Sequence, residues 1–350
     1  MKRSRLVNTL EGAGKSPETW ESTDGTTVLV LPYGGRILGL FAPGDEDNFF
    51  WTHPALDEAE SARGFYEGAH WHNSGGDRTW LAPEVDFFFP DYPQLSKYWQ
   101  QRELDPGHYE VSRNNGSLTL VNRATLVLSR PKQKVELEIT KSLATALNPL
   151  RYDSDDEMVG LKYAGYTLRT TLQPTASNSE ELPQVGLWNL VQMPHGGDML
   201  VPTFSRSEPK VYMGTIGPQD LTISEHLIRY KMRASGEHKL GVRAIATTGR
   251  VGYAHTLGNE AALVIRNFAV NPSGEYVDVP WIEADNFGFV FQACNVNSAL
   301  GAFSELEYHV PAIGLRTGRS RCEGESQLWA FRGPEQMIRA VARRLLSPEA

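Results

Sequence analysis

The sequence predicts an all-β fold: a large antiparallel β-sandwich formed as one domain over residues 1–350, with a short C-terminal helix. Three observations support this. Short β-type runs recur along the whole chain, several of them alternate apolar and polar residues, and turn signals such as NNG (114–116), ASGE (234–237) and PSG (272–274) separate them. Many strands with few helices suit a sandwich better than a parallel sheet with helical crossovers.

The runs begin with TTVLVL (26–31) and GGRILGLFA (34–42). SLTLVN (117–122), ATLVLS (124–129) and QKVELEIT (133–140) follow, and in the last Val135, Leu137 and Ile139 share one face, the period of a half-buried strand. YAGYTLRTTLQ (163–173), HLIRYKM (226–232), KLGVRAIAT (239–247), AALVIRNF (261–268) and FGFVFQACNV (287–296) continue the series. TASNSEELPQ (175–184) reads as a loop inside the domain. One segment alone reads as a helix, GPEQMIRAVARRLL (333–346). Its Met337, Ile338, Val341, Ala342, Leu345 and Leu346 form an apolar stripe, and Gly333 and Pro334 suit its start.

Composition agrees with one sizeable core. Hydrophobic residues make up 40 % and charged residues 22 %, ordinary globular values. A chain of 350 residues exceeds the usual single-domain length, but β-sandwiches often do. A net charge of −8 disfavours nucleic acid, which needs clustered Lys and Arg. It leaves room for an anionic sugar, which needs only one or two placed cations. Cys294 and Cys322 are too few for a disulfide scaffold or a four-cysteine zinc site and read as reduced core thiols. The basic start, MKRSRLVNTLEGAGKS, lacks an apolar run of signal length, and no segment reaches about 18 apolar residues. The expectation is a cytoplasmic protein with no membrane partner.

The chemistry concentrates in residues 65–99, which hold ten of the chain's 35 aromatics together with His70, His72, Asp77, Arg78, Glu84 and Asp86. Flat rings cover the C–H faces of sugars, while carboxylates, guanidinium and amides bond their hydroxyls. Trp71 and Trp80 read equally as sugar platforms or as packing. Strand alternation would send at least one of Phe87, Phe88 and Phe89 into the core. In SGGDRTWLAPE (74–84) two glycines allow a tight turn or a close approach to a ligand, and Arg78 offers donors in a fixed fork.

A second candidate is AFSELEYHVPA (302–312). As a strand it places Phe303, Glu305, Glu307 and His309 on one face. Two carboxylates and an imidazole in a row are costly to bury against a core, so they face water or a polar pocket. Neighbouring carboxylates raise one another's pKa and make a usable acid or base. A third is GLWNLVQMPHGGDMLVP (186–202), where His195 precedes a Gly-Gly turn. His70 and His72, spaced i and i+2, point the same way on a strand and could ligate a metal, but no Glu follows at the usual short distance and Asp77 is an imperfect substitute, so neither metal nor cofactor is expected. GxSxG, P-loop, HExxH and GxGxxG motifs are absent from the sequence.

Taken together these segments resemble the galactose mutarotase-like superfamily of one-domain β-sandwiches. GGRI (34–37) matches the family's early strand pair, and SGGDRTWLAPE is similar to the Gly-Gly segment of its hexose-6-phosphate epimerase branch. LWNLVQ (187–192) resembles the region of the YFNL motif, and SELEYHVPA the late strand whose LEP motif carries the catalytic base. The resemblance implies a sugar epimerase acting at the anomeric carbon, with Glu307 as base. The acid histidine that precedes YFNL in mutarotases has no counterpart, since Val185 and Gly186 stand there. His195 or His72 would have to supply it. Substrate contacts are expected from Arg78, Asp77, Trp71, Trp80, His70, Glu84, Glu305 and His309. The partner would be a small sugar or oligosaccharide. Alternatives are a carbohydrate-binding protein without catalysis, and a lyase acting on uronic acids with Arg78 neutralising the carboxylate.

Overall fold

The structure, a computed structural model, describes residues 1–350 except 115, 154–159, 176–181 and 258. Most of the expected 175–184 loop and Asn115 of the NNG turn therefore lie outside the described residues. In chain order the strands are β1 (Glu18–Glu21), β2 (Thr27–Leu31), β3 (Arg36–Phe41), β4 (Asp77–Ala82), β5 (Glu110–Asn114), β6 (Ser117–Leu128), β7 (Gln133–Thr145), β8 (Lys162–Pro174), β9 (Gly186–Pro194) and β10 (Asp198–Pro202). Then come β11 (Lys210–Met213), β12 (Leu221–Ile223), β13 (Leu227–Lys231), β14 (Gly236–Arg243), β15 (Arg250–Leu257), β16 (Glu260–Phe268), β17 (Phe289–Ser298), β18 (Gly301–His309) and β19 (Cys322–Gly333). The helices are α1 (Arg3–Gly12), α2 (Ala59–Glu67), the single turn α3 (Glu84–Phe87) and α4 (Glu335–Leu345).

The strands form two antiparallel sheets. The first runs β1-β2-β3-β4-β9-β18-β17-β14-β11 and the second β12-β13-β10-β15-β16-β19-β8-β7-β6-β5. Apolar side chains of their facing surfaces, among them Val28, Val30, Leu120, Leu126, Leu137, Tyr166, Val191, Val264 and Leu306, make one continuous core. This is the sandwich the sequence predicts. The two runs expected at 117–122 and 124–129 are one strand, β6. Its inward face continues as Leu118, Leu120, Asn122, Ala124, Leu126 and Leu128, because buried Asn122 is satisfied by the Glu103 carbonyl and the His108 amide.

The C-terminal helix appears as expected and covers the outer face of the second sheet through Ile338, Val341, Ala342 and Leu345. It is not the chain's only helix. α1 and α2 lay Leu6, Leu10, Ala62, Phe65 and Tyr66 onto Leu29, Leu31, Leu38 and Phe41, the outward residues of β2 and β3. Those strands are therefore buried on both faces and read as unbroken apolar runs. Their helical partners are short, with only three buried positions each, which is too little periodicity to stand out in the sequence. No described helix is long and apolar enough to cross a membrane.

Two glycines set the start of β4. Gly75 and Gly76 have φ of 99° and 72°, and a Cβ on either would meet backbone, Trp51 O at 2.4 Å or Ile37 O at 2.2 Å. The close approach that the Gly-Gly pair permits is thus chain against chain.

Candidate functional site

Opposite residues in an antiparallel pair share a face, and the outer face of the first sheet brings distant segments into two rows. Lys239, Cys294, Glu305 and Gln192 are successive cross-strand neighbours on β14, β17, β18 and β9. Gln292, Glu307, Leu190 and Arg78 make the next row, ending on β4. Beyond it Trp80, Trp188 and His309 stand side by side. Above these rows a cavity of about 260 Å³ opens, lined among others by Trp71, Trp80, Trp188, Trp281, Phe89 and Tyr98.

The charged groups at its base are almost wholly buried and bonded to one another. Arg78 Nη2 donates to Glu305 Oε1 at 2.8 Å, and Gln192 Nε2 donates to the same oxygen at 2.9 Å. Glu305 Oε2 accepts no hydrogen bond among the described residues. The Arg78 guanidinium carbon lies 4.0 Å from the Trp80 ring centre and 5.2 Å from that of Trp71, a cation–π arrangement that packs the rest of the side chain away. Lys239 Nζ lies 3.2 Å from both Glu84 Oε2 and Glu307 Oε2 and 4.4 Å from the Trp188 ring centre. Trp188 Nε1 donates to Glu307 Oε2 at 2.8 Å, and Glu307 Oε1 is buried without a partner. Burial pushes the Glu307 carboxyl up to about 8, with Lys239 opposing the rise and Glu305 adding to it.

The helical turn α3 supplies the opposite wall. Glu84 accepts from Tyr98 Oη and Trp281 Nε1, both at 2.8 Å, and its amide donates to Asp278 Oδ1 at 2.7 Å. Because residues 84–87 are helical, Phe87, Phe88 and Phe89 do not alternate, and all three are buried. Behind the pocket, Asp105 Oδ2 accepts from Trp80 Nε1 at 2.8 Å, Trp71 Nε1 at 3.0 Å and Arg36 Nη2 at 3.0 Å.

Of the residues singled out from the sequence, Arg78, Trp71, Trp80, Glu84, Glu305 and Glu307 line this pocket. The others lie elsewhere. Asp77 alternates with Arg78 along β4 and so points between the sheets, where its Oδ2 meets Arg266 Nη2 and Tyr166 Oη, each at 2.5 Å. His309 shares the face of Glu307 but is covered by Trp188, its ring 5.5 Å away and nearly parallel, and neither ring nitrogen has a partner. Burial holds its pKa well below the usual imidazole value. His72 is buried beneath α2, between Tyr33 Oη at 2.5 Å and the Gly68 carbonyl at 2.9 Å. His70 is exposed at the end of that helix. His195 is half-buried in the turn after β9, with its Nε2 3.3 Å from the Ala234 carbonyl. No described histidine lines the pocket.

Lys239, Trp188, Gln192, Tyr98 and Trp281 were not singled out beforehand, and Cys294, expected as a reduced core thiol, is a free buried thiol that lines the pocket. They lie on strands and loops far apart in the chain, and only sheet registry or loop packing brings them together. Cys294, Glu305 and Glu307 hold ligand atoms within 4.8 Å of one another, a spacing compatible with a metal ion. Arg78 and Lys239 already answer those carboxylates, so their charge does not call for one.

Residues 9–349 match a family model described as "Family of unknown function (DUF6786)". No curated protein matches the chain significantly. Among solved structures, a galactose mutarotase related enzyme from Lactobacillus acidophilus aligns at 10 % identity and a TM-score of 0.45, covering 91 % of this chain and 97 % of that one. A GalM/aldose epimerase homologue from C. elegans aligns at 8 % identity and 0.42, covering 91 % and 99 %. A galactose 1-epimerase from Lactobacillus acidophilus aligns at 8 % and 0.41, covering 91 % and 94 %. Likenesses this distant carry nothing about residues or activity.

Proposed function

The chain belongs to DUF6786, a family of unknown function, and from the pocket itself we propose that it binds a single sugar ring and interconverts the anomers at C1. Aromatic walls suit the C–H faces of such a ring, and carboxylates beneath them suit its hydroxyls. The observation that carries the reaction is the pair Glu305 and Glu307, two residues apart on β18, with oxygens within 4.8 Å of each other. The anomeric hydroxyl and the ring oxygen are bonded to the same carbon, so an acid and a base standing side by side fit this chemistry. A glycosidase needs carboxyls on opposite sides of the bond.

Their surroundings separate the roles. Arg78 and Gln192 anchor one oxygen of Glu305 and leave the other free to accept a proton. Glu307, its carboxyl pushed up to about 8, holds its proton at neutral pH, and its Oε1, buried and without a partner in the protein, has to be uncovered by the bound ring for the transfer. In this reading Glu305 takes the proton of the anomeric hydroxyl while Glu307 protonates the ring oxygen and the C1–oxygen bond opens. Rotation about the C1–C2 bond and the reverse transfers close the ring on its other face. The base expected at Glu307 thus becomes Glu305, and Glu307 takes the place of the missing histidine. A second reading, sugar binding without catalysis, is favoured by the position of every described histidine outside the pocket.

Polarimetry or NMR of freshly dissolved galactose and glucose tests the proposal. The wild type should accelerate mutarotation, and Glu305→Gln and Glu307→Gln should each lower the rate by about 10²-fold or more. Sugar binding with no acceleration over buffer would leave the binding reading alone.

A further inference from the structure

We propose that the pocket accepts uncharged sugars and excludes sugar phosphates and uronates. The inference rests on the reading of this cavity as a sugar site and concerns which sugars it takes. Among the described residues the lining holds two cations, Arg78 and Lys239, against four carboxyls, Glu84, Glu237, Glu305 and Glu307. A fifth, Asp278, lies directly behind, accepting from the Glu84 amide at 2.7 Å and from Gln292 Nε2 at 2.6 Å.

Neither cation presents a free donor to the cavity. Arg78 gives Nη2 to Glu305, its Nε and Nη1 are buried where a water-sized group does not reach, and its side chain is 2 % exposed. Lys239 is 4 % exposed, bridges Glu84 and Glu307 and lies over the Trp188 ring. At the base of the cavity, beside the two cations, the accessible oxygen left with free valence is an acceptor, Glu305 Oε2, on a side chain that is 9 % exposed; the neutral Gln100 amide is the lining's other unbonded group with donors. Sugar hydroxyls donate to such an oxygen. A phosphate or a carboxylate would lose its water, find no free cation and stand beside a like charge, and each of these opposes binding. The expectation that Arg78 could neutralise a uronic acid does not survive its pairing with Glu305.

The test compares galactose and glucose with their 6-phosphates and with galacturonate and glucuronate, by calorimetry and by anomerisation rate, at low salt and near neutral pH. The neutral sugars should bind or react at least about tenfold better than their charged counterparts, a difference of about 1.4 kcal/mol. Raising the salt should narrow the gap by screening. Glu305→Gln removes the negative charge that engages Arg78 and faces the cavity, and should reduce the neutral-to-charged affinity ratio several-fold. If that variant does not fold, the wild-type comparison decides alone. Equal or tighter binding of the charged sugars would overturn the inference and leave the sugar-site reading standing. Failure of all six compounds to bind or react would overturn both.

Discussion

Asp105 Oδ2 accepts the indole N–H of Trp80 at 2.8 Å, and the same oxygen holds Trp71 and Arg36, each at 3.0 Å. One buried carboxylate therefore fixes two aromatic walls of the pocket from behind without lining it. Asp105→Asn keeps the shape but weakens these charge-assisted bonds and turns an amide donor toward groups that are themselves donors. Stability should fall by about 1–3 kcal/mol, and sugar affinity should fall several-fold in the folded variant. Urea unfolding with calorimetry checks both. Unchanged affinity would show that the tryptophan orientation does not depend on this bond.

Lys239 is the charge that lets Glu84 and Glu307 coexist in the base of the pocket. Lys239→Met preserves most of the stem against Trp188 but leaves the buried Glu84 carboxylate without its cation and Glu307 without its Lys239 contact. A loss of about 3–5 kcal/mol is expected at neutral pH. The sign of its pH dependence follows from linkage. Carboxyls whose folded pKa is raised bind protons more tightly folded than unfolded, so stability is lost as pH rises and regained as it falls. The deficit should shrink in denaturant titrations moved from pH 8 toward pH 5, and a constant deficit would contradict the assignment.

His309 is buried with both ring nitrogens unpartnered, and its pKa is held below the ordinary imidazole value. The unfolded chain takes up a proton near pH 6.5 that the folded chain refuses, so this residue lowers stability as pH falls below that value. His309→Phe keeps the stacking on Trp188 and removes the titration. Its melting temperature should decline less steeply than that of wild type between pH 7 and pH 5. Parallel declines would show that His309 is protonated in the folded protein.

Asp77 and Arg266 join the two sheets through a pair whose side chains are 0 % and 1 % exposed. Asp77→Asn should lower stability by about 3–5 kcal/mol, the cost of leaving a buried guanidinium uncompensated. In the fraction that remains folded, sugar binding should be close to wild type, because the side chain faces away from the pocket. A selective loss of binding with unchanged stability would place Asp77 in the site after all.

The period of two in runs such as QKVELEIT determined the strands, and with them the sandwich. The same period also set Phe303, Glu305, Glu307 and His309 on one face of β18 and separated Arg78 from Asp77 on β4. A local rule is enough for such statements, since alternation depends only on neighbouring backbone. Which face meets the other sheet and which carries a pocket depends on pairing between strands far apart in the chain, such as β4 with β9 and β9 with β18. Registry alone placed Lys239 beside Cys294 and Glu305 beside Gln192, and no pattern within β14 or β9 announces it. The tertiary structure also decided the fate of the histidines. Each lies near pocket residues in sequence, yet His72 was drawn under α2 by Tyr33, and His309 was covered by Trp188. A side chain's chemistry can be read from its letter, but its solvent and its partners are set by the segments the fold packs against it.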